Sequence, residues 1–204
     1  MGIRGANVAH LLSRRVRVPR ENLVGGLSRG FSIILDELDR ESPAVAAGMM
    51  GIARSSFEEV VRYSSNRKQF GRPIRDFEGV SFKIADMAVR LAASRLFILH
   101  AAQVLDRGEP ARKEGAIAKL YSTEAAFDAT HESLQVHGCV GYTKDLLIER
   151  YFRDVRFMMI GGGTSEIMRY IIQREVSTRN WADFPDVTAC FCVRLREPLV
   201  DFRP

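Results

Sequence analysis

The segment GGGTSE, at residues 161–166, combines residue types that can hold a phosphate or a ribose. Glycines leave the backbone bare for close approach, and a helical apolar pattern begins directly after them, at Ser165. The first N–H groups of such a helix have no partner within it, so an anion can accept hydrogen bonds from them. The alternative is a flexible turn followed by an ordinary N-cap, and this segment alone does not separate the two.

Other residue types that often do chemistry form no pattern here. Cys139, Cys190 and Cys192 fit neither a disulfide framework nor a structural zinc site, which predicts free thiols in a reducing compartment. The four histidines show no metal-ligand spacing, so no metal site is expected. The net charge is +5, and 25 of the 30 basic residues are Arg, scattered among acids. This pattern argues against nucleic-acid binding and suits the phosphates of an anionic cofactor.

The elements that must position these residues are predicted to be almost entirely helical. At the start of the chain, Val16 and Val18 alternate with arginines, which indicates a half-exposed strand that Pro19 ends. One strand cannot form a sheet, so we interpret this part as the end of a β-domain. The apolar runs are shorter than the roughly 20 residues that a membrane span needs, and no span is predicted.

Helical periods follow from about residue 30 to residue 138 and predict an all-α antiparallel four-helix bundle. The predicted helices are residues 31–38, residues 43–66 with Ser42 as N-cap and Pro43 at the first position, a helix capped by Asp76, and a helix from about Pro110 to Gly138. Two short helices are expected beyond the bundle, at residues 148–155 and 165–174.

Five stretches, in this order and spacing, together resemble the acyl-CoA dehydrogenase family. They are MGIRG…VRVPREN (1–22), RYSSNRKQFGRPIRDFEGVSFKIADM (62–87), LQVHGCVGY (134–142), IERYFRDVR (148–156) and GGGTSEIMR (161–169). The resemblance implies that residues 1–27 are the end of the family's middle β-domain and residues 28–176 its C-terminal four-helix domain. Residues 177–204 are then an irregular tail.

The resemblance also implies FAD as the cofactor, with Arg67 on the pyrophosphate of a neighbouring subunit's FAD and Phe70 beside the flavin or adenine. Glu78 stands where the family usually has a glutamine, and Cys139 where it usually has a glycine. The implied cofactor-binding residues are Arg67, Gln69, Phe70, Glu78, Gln135, Val136, His137, Gly138, Cys139, Thr164, Ser165 and Glu166.

The catalytic base is the feature that this chain places differently from many members of the family. Those members carry a glutamate immediately before the Gly-Thr pair, where this chain has Gly162. The isovaleryl-CoA and long-chain branches instead take the base from the helix after the β-domain, a position that Glu41 matches. Its neighbours Asp39, Arg40 and Ser42, together with Gly163, are the implied substrate-binding residues. The alternative for Glu41 is an ordinary surface carboxylate near a helix start.

The implied reaction is α,β-dehydrogenation of an acyl-CoA, with electron-transfer flavoprotein as the electron acceptor and a homodimer or homotetramer as the assembly. In the family, a flavin hydroxyl and a backbone N–H polarise the thioester carbonyl. A bacterial cytoplasm is the expected location, or the mitochondrial matrix in a eukaryote. Two alternatives stay open: an acyl-carrier protein as the carrier, or a non-catalytic remnant that acts only as a helical association module.

Overall fold

A computed structural model describes residues 1–178 of the chain. Five helices and one hairpin make up its regular structure: α1 (Gly30–Asn66), β1 (Lys68–Gln69), β2 (Arg72–Pro73), α2 (Glu78–Asp106), α3 (Arg112–His137), α4 (Ile148–Met158) and α5 (Ser165–Thr178). Short 3-10 turns lie at Arg20–Asn22, Ile74–Asp76 and Gly138–Tyr142. The predicted all-α class is confirmed.

Helix α3 is the centre of the bundle, because α1, α2, α4 and α5 all pack against it. Its buried positions hold mostly small side chains, which let neighbouring backbones approach closely. The main apolar cluster joins Met49 and Val60 of α1, Met87 of α2 and Val155 of α4 to alanines of α3. The bundle is therefore built around small residues on one helix and larger ones on its neighbours.

The predicted helix break at Pro43 is wrong, since α1 runs through it without interruption. Ser42 does not act as an N-cap: its hydroxyl donates to the Leu38 carbonyl at 2.8 Å. Proline inside a helix costs about 3 kcal/mol. Here Pro43 is buried and packs against α3 at Gly115, which also lies against the carbonyl of Asp39. This packing offsets the cost, so residues 30–138 hold three long helices.

Most of the other predicted boundaries agree with the structure within a few residues. Asp76 lies in a 3-10 turn and not at the N-cap of α2, which begins after Phe77 without a side-chain cap. Helix α3 ends as predicted at Gly138, whose φ of +60° favours glycine. Helices α4 and α5 extend beyond their predicted ends, to Met158 and Thr178. The rest of the predicted tail lies outside the described residues.

The predicted strand around Val16 and Val18 does not form, and both side chains are 65% exposed. The first residues of the chain are instead held by α4. The Ile3 N–H donates to Asp154 at 2.5 Å, and Arg153 donates to the Met1 carbonyl at 2.8 Å. The stretch before α1 has no strand partner within residues 1–178, and its regular structure is limited to the short 3-10 turn at Arg20–Asn22.

Helix α2 is the described helix that is long and apolar enough, by length and composition alone, to cross a membrane. Two ion pairs tie it to α3: Lys83 with Glu132, and Arg90 with Asp128 at 3.1 Å. It also packs against α1. These contacts identify it as a helix of the bundle.

The close approach of α1 and α3 gives a test of the fold. A Cβ at Gly115 would lie 3.1 Å from the Asp39 carbonyl oxygen, whereas a Cβ at Gly48, inside α1, would meet nothing within 4 Å. We expect Gly115→Ala to lower the free energy of unfolding by about 1 kcal/mol. The control Gly48→Ala should raise it by about 0.5–1 kcal/mol through helix propensity. Urea unfolding measures both, and an equal gain for the two variants would contradict this packing.

Candidate functional site

The glycine-rich turn between α4 and α5 requires glycine at two positions. Gly162 has φ +64° and Gly163 has φ +103°, a region that side chains rarely adopt. A Cβ would also lie 3.1 Å from Lys119 Nζ at Gly162 and 2.8 Å from Met168 Cε at Gly163. At the end of the turn, the Thr164 hydroxyl accepts a hydrogen bond from the Ile167 N–H at 3.3 Å, which caps α5.

A buried lysine from α3 holds this turn in place. The Nζ atom of Lys119 donates to the carbonyls of Gly161, Gly162 and Gly163 at 2.7, 2.6 and 2.9 Å, and the residue is only 2% exposed. Burial lowers the pKa of Lys119, and the charge of Glu41 opposes that shift. Three acceptors match the three donors of an ammonium group, so the geometry favours the charged form.

A cavity of about 90 Å³ lies beside the turn, between α1, α3 and α5. Three of the four predicted substrate-binding residues line it, namely Asp39, Ser42 and Gly163, and Gly162 lines it too. Arg112 of α3 closes one side and donates to Asp39 at 2.8 Å. The remaining walls are apolar: Leu35, Leu38, Ala116, Ile167, Met168 and Ile171.

The predicted base, Glu41, is exposed on α1 and does not line this cavity, and neither does Arg40. Its carboxylate is nevertheless close enough to Lys119 for its negative charge to oppose the lowering of the Lys119 pKa by burial. Glu41 therefore belongs to the same end of the bundle as the glycine turn, one helical position before Ser42.

The hairpin after α1 carries two of the predicted cofactor-binding residues, Gln69 and Phe70, and Arg67 lies directly before it. Phe70 and Gly71 form its two-residue turn, and both have positive φ, at +50° and +80°. Phe70 is 91% exposed, although a bulky residue rarely adopts this backbone conformation. Arg67 and Gln69 are also exposed, and within residues 1–178 the Arg67 side chain makes no ion pair. Glu78 is exposed at the start of α2, just beyond the hairpin.

The end of α3 packs against the last turns of α1, just before the hairpin, through Tyr63 of α1. The rings of Tyr63 and His137 are 4.3 Å apart, and the Tyr63 hydroxyl donates to the His137 carbonyl at 3.5 Å. His137 is buried, whereas Gln135, Gly138 and Cys139 are exposed and Val136 is half-buried. The Nδ1 of His137 lies 2.8 Å from the Ser133 carbonyl, so this nitrogen carries the proton.

The predicted site residues thus form two groups at opposite ends of the bundle. One group surrounds the glycine turn and includes the start of α1, Thr164, buried Ser165 and exposed Glu166. The other surrounds the hairpin and the end of α3. The 24 residues of α1 between Ser42 and Asn66 separate them by about 36 Å, at 1.5 Å per residue. The structure does not bring the two groups together within one chain.

Comparisons with known proteins identify the fold. The family model described as the C-terminal domain of acyl-CoA dehydrogenase matches residues 28–177. The chain belongs to the acyl-CoA dehydrogenase family. Its acyl-CoA dehydrogenase relatives include the probable acyl-CoA dehydrogenase YngJ of Bacillus subtilis, 43% identical over 86% of this chain and 46% of the relative.

A second relative in the acyl-CoA dehydrogenase family is the caffeyl-CoA reductase-Etf complex subunit CarC of Acetobacterium woodii, 37% identical over 84% of this chain and 45% of the relative. Butyryl-CoA dehydrogenase of Megasphaera elsdenii has a similar solved structure, with a TM-score of 0.77 and 34% identity over 78% of this chain and 42% of that one. The chain therefore spans less than half the length of these relatives.

Lys119 and Arg112 are the residues around the glycine turn and its cavity that the sequence prediction missed. Lys119 lies at the same helical phase as the buried Gly115 and Ala126, so its position in the helix could have indicated burial. Its acceptors lie 42 to 44 residues further along the chain, and no local sequence pattern predicts them.

The buried histidine predicts how stability depends on pH. Burial lowers the pKa of His137 below its ordinary value of 6.5, so the unfolded chain takes up a proton that the folded chain resists. Stability should therefore fall as the pH drops below 6.5 towards the lowered pKa. We expect His137→Gln to lose less stability than the unsubstituted chain between about pH 7 and about pH 5.

Urea unfolding at several pH values measures this difference. His131→Gln, which changes an exposed histidine of the same helix, is the control and should leave the slope unchanged. Equal slopes for the unsubstituted chain and the His137 variant would contradict the prediction.

Proposed function

We propose that this chain is the C-terminal part of an FAD-dependent acyl-CoA dehydrogenase, which oxidises the bond between the α and β carbons of an acyl thioester. The observation that carries the proposal is the family match over residues 28–177, together with the predicted substrate residues meeting the glycine turn at one cavity. The named relatives act on CoA thioesters according to their names, which supports the same substrate class here.

The groups at the hairpin end fit the phosphates of FAD. Arg67 is exposed and unpaired within the described residues, and a guanidinium fork matches phosphate oxygens. Gln135, Gly138 and Cys139 lie exposed nearby and leave room for an extended ligand. When bound, FAD supplies the acceptor for the hydride that leaves the β carbon.

The groups at the glycine-turn end fit a ribose and a thioester. A hydrogen bond from Thr164 lowers the pKa of Glu166, so at neutral pH this exposed carboxylate is ionised and accepts from hydroxyl groups. The predicted substrate-binding residues Asp39, Ser42 and Gly163 surround the cavity beside it.

Glu41 is the base in this proposal, and it removes the α-proton of the substrate. A glutamate at position 162, where many family members have one, would need the left-handed backbone of Gly162 and would crowd Lys119. Glu41 is within electrostatic reach of Lys119, which holds the same turn. Its carboxylate is exposed on this chain and hence accessible to a bound ligand.

Two features support assembly into a homodimer or homotetramer. The two groups of site residues are about 36 Å apart along α1, too far to contact one pyrophosphate, so two copies would have to share their cofactors. Helix α2 also exposes Phe82, Val89 and Leu96, spaced seven residues apart along one side. A second copy of the chain would cover this apolar stripe.

Electron-transfer flavoprotein is the proposed electron acceptor, supported by a relative whose name places it in a complex with Etf. An acyl-carrier protein is the alternative carrier of the acyl group. The location proposed is a bacterial cytoplasm or a mitochondrial matrix. A chain without FAD or activity in any context would instead be the non-catalytic association module.

The proposed function predicts how strongly the chain binds FAD. We expect the 204-residue chain alone to bind FAD weakly or not at all, because it offers groups for the phosphates and the adenosine but few for the flavin ring. Gel filtration with added FAD, followed by visible absorbance, measures retention. Stoichiometric flavin on the eluted chain would contradict this.

As a control, a chimaera with residues 1–178 in place of the matching part of the Megasphaera elsdenii enzyme should retain FAD. Arg67→Met should weaken that binding about tenfold or more.

The proposed function also predicts the effect of replacing Glu41, the base. In the same chimaera, Glu41→Gln should lower the rate of butyryl-CoA oxidation by about 10²- to 10⁴-fold while FAD stays bound, since only proton abstraction is lost. Glu58→Gln, which removes an exposed carboxylate paired with Arg54, is the control and should leave the rate unchanged. Unchanged turnover in Glu41→Gln would rule Glu41 out as the base.

A further inference from the structure

The proposed chemistry leaves the buried charge of Lys119 without a role. Lys119 touches neither the cavity beside the glycine turn nor the predicted base, yet its ammonium group is almost completely buried and fully hydrogen-bonded. A buried cation is costly unless it is surrounded by acceptors. Its three acceptors are successive carbonyls of a single turn, which concentrates the effect of the charge on that turn.

Peptide geometry fixes what these three contacts do to the other side of the turn. In a trans peptide the C=O and N–H groups point in opposite directions. Because the carbonyls of residues 161, 162 and 163 point at Lys119, the N–H groups of Gly162, Gly163 and Thr164 point away from it. Within residues 1–178 these three N–H groups have no hydrogen-bond acceptor.

The start of α5 adds one unused hydroxyl at the same place. Ser165 is 94% buried, and its Oγ has no hydrogen-bond partner among the described residues. The N–H groups at the start of α5 are already used: that of Ser165 donates to the Met159 carbonyl at 3.1 Å, and those of Ile167 and Met168 donate to the hydroxyl and the carbonyl of Thr164 at 3.3 and 3.0 Å. The turn thus presents several adjacent donors, with a positive charge behind it.

We propose that Lys119 is a positioning residue, whose ammonium group locks the three glycine carbonyls inward so that the opposite N–H groups stay directed away from it and one of them is preset as a donor to the thioester carbonyl oxygen. This role rests on the proposed function, because it needs a substrate with such an oxygen at the turn. The charge also polarises the three peptide groups, which makes their N–H ends stronger donors.

The geometry calls for lysine and not for another basic residue. An ammonium group offers three donors around one atom, which is what three converging carbonyls need. A guanidinium group is planar and larger, and the space in front of Nζ is already limited, since a Cβ at Gly162 would lie 3.1 Å from it. Arginine should therefore fail to replace Lys119.

The first experiment measures order in the turn directly in the 204-residue chain. The ¹⁵N order parameters of the Gly162 and Gly163 amides should be near 0.85, and should fall below about 0.6 in Lys119→Met. Lys83→Met is the matched control, because it removes a lysine that pairs with Glu132 elsewhere in the bundle. It should leave both values unchanged. A folded Lys119→Met variant with an ordered turn would overturn the proposal.

The unsubstituted chain gives a second measurement if Lys119→Met does not fold. Held by three carbonyls and buried, the Lys119 ammonium protons should exchange slowly enough with water to give an NMR signal. The Lys83 ammonium group is partly exposed and serves as the internal reference. Exchange at Lys119 as fast as at Lys83 would mean that the three contacts do not persist, and the proposal would fail.

The chimaera described above tests the consequence for catalysis. Lys119→Met should lower kcat for butyryl-CoA by about 10²-fold, because the donors are displaced, with KM changed less than about threefold. Lys119→Arg should not restore kcat, and Lys83→Met should leave it unchanged. A disordered turn with normal kcat would show that the N–H groups are not used. If the unsubstituted chimaera is inactive, the proposed function fails, and the order parameters alone decide the role of Lys119.

Discussion

A buried ammonium group must be surrounded by acceptors, and in this protein that requirement determines how the glycine turn before α5 is attached to the bundle. Lys119 obtains all three acceptors from one turn, at 2.6 to 2.9 Å. Three successive carbonyls can converge on one atom only where the backbone is unusually bent, which the left-handed conformations of Gly162 and Gly163 allow. The start of α5 and one wall of the cavity follow from this single cluster.

Helix α3, which carries Lys119, also determines the position of α1. The buried positions of α3 are mainly glycine, alanine and serine, so α1 approaches closely enough for the Asp39 carbonyl to touch Gly115. At that crossing Arg112 pairs with Asp39, and Ser42 turns its hydroxyl back onto its own helix. Close packing between two helices therefore places the predicted substrate residues beside the glycine turn, with no loop needed to carry them.

The sequence predicts the helices well because apolar periodicity and glycine at the end of α3 are local signals. It fails at Pro43, because what keeps α1 continuous there is burial against Gly115, a residue distant in the sequence. It fails at Val16 and Val18, because alternation indicates a strand only where a partner strand exists. The members of the site could be named from motifs, and the cavity joins three of them. Lys119 could not be found in this way, because its acceptors are set by tertiary structure; the roles of Glu41 and Arg67 stay predictions.

The continuity of α1 has a consequence for how this domain can vary. One uninterrupted helix connects the end that carries Glu41 with the end that carries Arg67, so their relative orientation is set by the number of residues between them. Each residue in an α-helix turns the chain by about 100°. A single insertion or deletion between positions 43 and 66 would therefore rotate one end to a different side of the bundle relative to the other. The number of residues in this stretch is therefore constrained, even at positions where the side chain can vary.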